Sequence, residues 1–307
     1  MNHQPPDITE LQAMPLDELM RQALATKLAR RGTSFSLCSI INAKSGKCSE
    51  DCHFCAQSAH YRTEAPVYPL LDTAQIIAAA REAQKNGASR FSLVTSGRGL
   101  AEADLPRMLD IIRAIREEVG IKVCASLGIL GKDELLALKE AGVSRYHHNL
   151  ETSREFFPQV CTTHSFADRI ATIKAAQEAG LSVCSGGIFG LGESAADRLS
   201  MALSLVECGI DSVPINILIP LPGTPCAGIP PLPIAEILRT IALYRLILPQ
   251  AAIRLAAGRE SALADFLSSA FMGGADGMMI GGYLTQRGRS PRADRHFAEE
   301  IRQLWSI

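Results

Sequence analysis

No run of about 18 apolar residues occurs in the 307-residue chain, so no membrane-spanning helix is expected. The N-terminus, MNHQPPDITE, does not pair a basic region with an apolar core, so no signal peptide is expected either. Net charge is also scarce: 31 Lys and Arg against 32 Asp and Glu leave −1. That balance provides no electrostatic footprint for nucleic acid or an anionic membrane. Low-complexity segments and interdomain linkers are missing. What remains, 47% hydrophobic and 21% charged residues, describes a globular protein with a substantial core. Without an export signal the expected compartment is the cytoplasm, where disulfides are rare and clustered cysteines more often bind metal or do redox chemistry. The nine cysteines, an odd number, also argue against full disulfide pairing.

One phrase recurs through the chain: a helix-like segment ends in glycine and a β-rich strand follows. It reads NGASRFSLV from Asn86, VGIKVCASLG from Val119, AGVSRYHHNL from Ala141, AGLSVCSGGI from Ala179, CGIDSVPINI from Cys208 and GGADGMMIGG from Gly273. Glycine suits the position just past a helix end because the chain there turns through the left-handed region. The preceding segments carry helical periodicity, with Leu105, Met108, Leu109, Ile112 and Ile115 on one face and Ile234, Ile237, Leu238 and Ile241 on another. The strands are short apolar runs, as when both faces of a parallel sheet are covered. A first strand at residues 35–42 and a seventh at 252–256 complete eight βα units. The expected fold is therefore α/β, a (β/α)8 barrel over residues 33–307, with an open doubly wound sheet as the alternative. Residues 1–32 form an N-terminal helical extension with a helix near residues 16–30, and a final helix follows Ser290.

The chemistry concentrates in KCSEDCHFC, where Cys48, Cys52 and Cys55 have the spacing C-x3-C-x2-C. A structural zinc site usually takes four protein ligands, often as two separated pairs, and no nearby C-x2-C supplies the second half. Three thiolates on one short loop can instead hold three irons of a 4Fe–4S cluster, leaving the fourth open to chelate a small molecule. Zinc and chance remain the alternatives from spacing alone. The loop follows the first strand, at the barrel face where active sites sit.

With Phe54 just before the last cysteine, this loop resembles the signature of radical S-adenosylmethionine enzymes. Beyond it, NAKSGKCSEDCHFCAQSAHY, YHHNLETS, VCSGGIFGLGES, SVPINILIPLPGTP and IRLAAGRE resemble the biotin synthase family in that family's order, over nearly the whole chain. The resemblance implies that Cys48, Cys52 and Cys55 bind the 4Fe–4S cluster, whose open iron holds S-adenosylmethionine. Reductive cleavage then yields a 5′-deoxyadenosyl radical that takes hydrogen from dethiobiotin, and sulfur is inserted to close the ring. It implies cofactor contacts for Phe54, Tyr61, Asn149, Glu151, Gly186 and Gly187, the glycines through close backbone approach to S-adenosylmethionine. Asn149, Asn216 and, more weakly, Lys44 are the expected substrate contacts; an amide suits a ureido ring because it offers donor and acceptor together. A reducing partner such as flavodoxin or ferredoxin and a homodimer are the family's expectations. The competing readings are another substrate within the superfamily, or a non-catalytic iron–sulfur protein that cleaves no S-adenosylmethionine.

The family pattern also holds an auxiliary 2Fe–2S cluster on three strand cysteines and an arginine, the proposed sulfur source. Cys124, Cys184 and Arg254 match it, but Ser92 stands at the remaining cysteine position, and a hydroxyl is a hard, reluctant ligand beside sulfide. Cys38 and Cys226 appear at positions where the pattern has no cysteine. The expectation is that Cys38, Cys124, Cys184 and Cys226 hold an auxiliary iron–sulfur cluster, 2Fe–2S or larger, with Arg254 and Ser92 around it. Cys161 and Cys208 read as structural, and His53 has no assigned role. His147, where the family commonly has asparagine, and His148 point to opposite sides of a strand and do not share one ion.

Overall fold

The computed structural model describes residues 8–282 and 288–307; the first seven residues of the expected N-terminal extension lie outside the described residues. Nine parallel strands follow in chain order: β1 (Ser36–Lys44), β2 (Arg90–Thr95), β3 (Lys122–Ser126), β4 (Val143–His147), β5 (Ser182–Cys184), β6 (Gly187–Phe189), β7 (Ser212–Ile217), β8 (Ala252–Leu255) and β9 (Gly277–Met279). β1 pairs with both β2 and β9, and β5 reaches β7 through Cys184 and Ser212, so the sheet closes. β5 and β6 both pair with β7 and are two halves of one stave, broken at residues 185–186. The result is an eight-staved parallel barrel, which decides between the closed and open sheets allowed by pattern alone.

Two helices, α1 (Ile8–Ala13) and α2 (Leu16–Arg31), precede the barrel. Around it lie α3 (Thr73–Lys85), α4 (Leu105–Glu118), α5 (Lys132–Ala141), α6 (Phe166–Glu178), α7 (Ala195–Glu207), α8 (Ile234–Ile247), the short α9 (Arg259–Leu263) and α10 (Leu267–Met272), and α11 (Pro291–Leu304). Local chemistry sets the helix ends. Ser165 and Ser194 open α6 and α7 with capping boxes closed by Asp168 and Asp197. At the other ends, one glycine of each recurrent phrase turns the chain with positive φ: Gly87, Gly120, Gly142, Gly180, Gly209 and Gly274, from 61° at Gly209 to 123° at Gly142.

The helices bury one face each. In α4 the buried set is Met108, Ile111, Ile112 and Ile115, so Ile111 joins the expected face while Leu105 and Leu109 sit at its edge. The strands depart from the reading of runs covered on both faces. In β2, Phe91 and Leu93 are buried outward, whereas Arg90, Ser92 and Val94 face a cavity in the barrel. The reason is the small and polar lining of the lumen, which leaves its centre unfilled. At the N-terminal end of the staves, α2 packs against α8 and α10. There Asp276 accepts from Arg31 Nε at 2.7 Å and Arg245 Nη2 at 3.2 Å. Arg245 is fully buried and also donates to the carbonyls of Gly274 and Ala251.

Candidate active site

β1 delivers the chain to the cysteine loop at the C-terminal end of the barrel. Gln57 fastens that loop to the strand: its Oε1 accepts from Asn42 Nδ2 at 3.2 Å, Ser45 Oγ at 2.9 Å and Gly46 N at 3.3 Å. Backbone pairs from Cys48 N to Gln57 O (3.0 Å) and Ala59 N to Cys48 O (2.8 Å) close the loop on itself. Cys48 and Cys52 are buried, and Cys55 is half-buried against the cavity. Burial pushes the Cys55 thiol up to about 11 and raises Cys48 as well. Thiolates placed here therefore need a cationic partner.

A segment without assigned chemistry braces the loop from behind. Asp51 accepts from Thr162 N at 2.9 Å, Thr163 N at 3.2 Å, Thr163 Oγ1 at 3.1 Å and Cys161 Sγ at 3.1 Å, and also from Thr162 Oγ1. Burial alone would raise the Asp51 carboxyl, but these donors hold it well below the usual carboxylate range. Glu50 pairs with His164 Nδ1 at 2.5 Å and accepts from Thr163 Oγ1 at 2.8 Å. Cys161, read as structural, lies 3.7 Å from Cys52 Sγ and 3.2 Å from His164 Nδ1. Among the described residues, Cys52, Cys161 and His164 are the one group of three such donors within 4.8 Å of one another. The acidic pair inside the loop was the only signal of this brace, and it does not name its partner.

The cavity, about 360 Å3, runs from Phe54 and Cys55 at its mouth to Cys38, Cys124 and Cys184 in the lumen. The lumen thiols come from β1, β3 and β5, and Arg254 from β8, the seventh stave. They therefore lie on alternate staves, as the side-chain layers of such barrels do. Cys38 is close enough to Arg254, Cys184 and Cys124 to feel the charge of each. Burial pushes Cys38 up to about 11 and raises Cys124. Burial also raises Cys184, but the His147 hydrogen bond, the charges of His147 and Arg254, and the Ser212 hydroxyl outweigh it and bring the thiol to about 6. Arg254 donates from Nε to Ser36 Oγ at 3.1 Å and from Nη1 to Ser212 Oγ.

The other expected site residues divide. Asn149 and Glu151 line the cavity and are joined, Asn149 Nδ2 donating to Glu151 Oε2 at 3.2 Å while Arg169 Nη1 stands 3.6 Å from Glu151 Oε1. Glu151 has φ 71°, a conformation uncommon for a non-glycine residue and often found at functional sites. Gly186 and Gly187 permit close strand packing: a Cβ at Gly186 would lie 2.1 Å from Pro214 O, and one at Gly187 would lie 2.3 Å from Glu151 O. Asn216 lines the cavity, but its amide is engaged with Gly187 O at 3.1 Å and Ala257 N at 3.1 Å. Lys44 does not line the cavity and pairs with Asp104 at 2.9 Å, because the β1 register shifts between Asn42 and Lys44. Tyr61 donates to Asp51 O on the outer side of the loop. Cys226 also departs from expectation: it packs with Val160 and Leu191 and does not join the lumen thiols. His147 faces the lumen while His148 is buried beside Tyr146, on opposite sides as expected.

Comparison with known proteins agrees with this arrangement. The family model of the radical SAM superfamily matches residues 43–205, and that of the biotin and thiamin synthesis associated domain matches 214–301. The biotin synthase of Pelotomaculum thermopropionicum is 55% identical over 287 residues, covering 94% of this chain and 89% of that protein. The chain belongs to the biotin synthase family. The biotin synthase of Heliobacterium modesticaldum is 58% identical over 268 residues, covering 87% of this chain and 80% of its own. Methylornithine synthase, 19% identical, superposes with a TM-score of 0.82 over 98% of this chain and 94% of its own, a likeness of fold.

Membership of the biotin synthase family implies a 4Fe–4S cluster and S-adenosylmethionine, and the donor chemistry fits. The loop brings Cys55 to the cavity, with Cys48 and Cys52 buried on the same turn. The arginines make the lumen cationic: Arg90, Arg145 and Arg254 line the cavity against one carboxylate, Glu151. Arg145 Nη1 is buried without a hydrogen-bond partner, an arrangement that suits an anionic group between the guanidiniums. No helix among the described residues is long and apolar enough to cross a membrane.

Proposed function

We propose that this chain converts dethiobiotin to biotin, with Cys48, Cys52 and Cys55 holding the 4Fe–4S cluster and an auxiliary iron–sulfur cluster in the lumen supplying sulfur. The observation that carries the reading is the continuity of one cavity from Cys55 to Cys38, Cys124 and Cys184. A substrate seated between them has a radical source on one side and a sulfur source on the other. Held by Cys48, Cys52 and Cys55, the loop cluster would supply S-adenosylmethionine with the electron, drawn from a donor such as flavodoxin or ferredoxin, that radical generation requires. The protein supplies position and dryness.

Each residue has a role that its place supports. Gln57 holds the loop in register with β1, and Asp51 and Glu50 brace its outer side. Asn149 and Glu151, fixed by Arg169 and the split stave, present polar atoms to S-adenosylmethionine at the mouth. Ile188, Ile217, Leu218 and Leu221 give the wall an apolar stretch suited to the aliphatic arm of dethiobiotin. Asn216 acts as a brace between the split stave and the loop after β8. Cys38 takes the place of the ligand absent at Ser92, and Arg145 and Arg254 offset the charge of the lumen cluster.

Anaerobic incubation of the reconstituted chain with dethiobiotin, S-adenosylmethionine and reductant tests the reading, with biotin and 5′-deoxyadenosine measured by mass. Formation of both is expected. Release of 5′-deoxyadenosine without biotin would move the chain to another substrate, and release of neither would remove the enzymatic reading.

A further inference from the structure

Behind the cysteine loop, the brace gathers donors of a different kind from those in the lumen. Cys52 Sγ and Cys161 Sγ stand 3.7 Å apart, and Cys161 Sγ and His164 Nδ1 stand 3.2 Å apart. All three ligand atoms lie within 4.8 Å of one another, and all three residues are buried. Two thiolates on one tetrahedral zinc are about 3.8 Å apart, given Zn–S bonds of about 2.3 Å. A thiolate and an imidazole nitrogen on the same ion are about 3.6 Å apart. The measured separations match ligands around a single ion to within about half an ångström.

A fourth ligand stands beside them. Glu50 is buried with His164, and its Oε2 meets His164 Nδ1 at 2.5 Å. The two groups are joined through one proton, and a cation in the place of that proton is held by both. Its entry widens the contact by about 1 Å, a side-chain adjustment at Glu50. Asp51 is less suited, because its Oδ1 already accepts from the Thr162 and Thr163 amides. Two thiolates, an imidazole and a carboxylate are a zinc-type donor set, too soft for magnesium or calcium.

We infer that Cys52, Cys161, His164 and Glu50 form a mononuclear site for a thiophilic divalent cation of the zinc type. The ion and the loop cluster compete for Cys52, so the cluster-free chain holds the ion and gives it up when the cluster assembles. That exclusion rests on the reading of Cys48, Cys52 and Cys55 as the cluster mount; the ion site itself rests on the distances above. The two thiol protons and the proton at His164 Nδ1 leave as the cation enters. Asp51 loses the Cys161 donor but keeps two amides and two threonine hydroxyls.

The test uses the full chain, cluster-free, anaerobic and reduced, with cobalt(II) as the probe. Cys48→Ser with Cys55→Ser removes the other two loop thiols and leaves the inferred site whole. This double variant should bind cobalt with thiolate-to-cobalt charge transfer and the intense visible bands of tetrahedral coordination. Losing an outer partner of a ligand costs about 10–100-fold in metal affinity, so losing a ligand should cost at least about 100-fold. That loss is expected when Cys161→Ser or His164→Asn is added, and Cys161→Ser keeps a hydroxyl donor toward Asp51, so the loop stays braced. Unchanged affinity and spectrum in both would place the ion elsewhere and overturn the site. If the double variant does not fold, zinc X-ray absorption on the native cluster-free chain still decides. Nitrogen in the coordination shell, lost in His164→Asn, is expected, and an all-sulfur shell overturns the assignment. Chain carrying its loop cluster should show no such cobalt spectrum, and uptake beside an intact cluster would refute the sharing of Cys52. Failure of the loop cluster to assemble would overturn the reading of the loop and with it the exclusion, while the cobalt titration alone decides the site.

Discussion

Asp51→Ala should release iron from the cysteine loop without unfolding the barrel. The carboxylate accepts from two backbone N–H groups, two threonine hydroxyls and the Cys161 thiol. Hydrogen bonds to a charged group contribute about 1.5–3 kcal/mol each, but they are not additive and a half-exposed site lets water replace some of them. A net loss of about 2–3 kcal/mol is the reasonable figure, set mainly by the Thr162 and Thr163 amides. It falls on local opening of the loop, because Asp51 touches only its own loop and residues 161–163. If iron leaves through that opening, release to a chelator should accelerate roughly 30- to 150-fold. Asp51→Asn keeps one acceptor oxygen and should fall between. The donors hold the Asp51 carboxyl below its unfolded value, so its contribution is complete above the unfolded pKa and is lost only as pH falls through the folded one. Across neutral pH the acceleration should therefore be constant. The assay is anaerobic iron transfer to a chromophoric chelator, with thermal melting of the same sample. An unchanged release rate in Asp51→Ala would refute the brace, and a collapsed melting profile would refute its local character.

Asp276→Asn leaves Arg245 buried without its counter-charge and should cost about 3–5 kcal/mol, read as a lower urea midpoint. Gly187→Ala sets a Cβ 2.3 Å from Glu151 O and 2.6 Å from Met201 Sδ. It should destabilise by about 1–3 kcal/mol and weaken S-adenosylmethionine binding through Glu151, measured by melting and by equilibrium binding. Cys226→Ser should leave auxiliary iron unchanged while Cys38→Ala lowers it, by iron and sulfide analysis; equal loss in both would restore Cys226 to the ligand set.

Much of the architecture is written in local chemistry. A positive-φ glycine closes each recurrent phrase's helix-to-strand turn, so the βα count could be read directly, while closure of the sheet needed the structure. The cysteine loop is equally local, because its C-x3-C-x2-C spacing alone puts the three thiols on one turn at the end of β1. The misplacements share one cause: chain order gives the end of the barrel on which a residue lies, not the direction it faces. Cys226 follows β7 at the active face, yet its turn folds over the outside of the cysteine loop. Lys44 would face the lumen if β1 kept a strict alternation, but the register shift after Asn42 turns it to Asp104. Nothing local announces that the fifth stave is broken, so the packing role that Asn216 and the glycines at 186–187 carry across that break was not legible in the sequence. Cys161 was missed because its meaning depends on Cys52, far away along the chain.

The most direct measurement of the central claim is a single turnover by protein whose clusters carry sulfur-34, in medium containing only natural sulfide. Biotin should carry the heavy isotope, and Cys38→Ala should lose that product while still cleaving S-adenosylmethionine. Biotin formed with natural sulfur, or heavy biotin at the original yield from Cys38→Ala, would contradict the account.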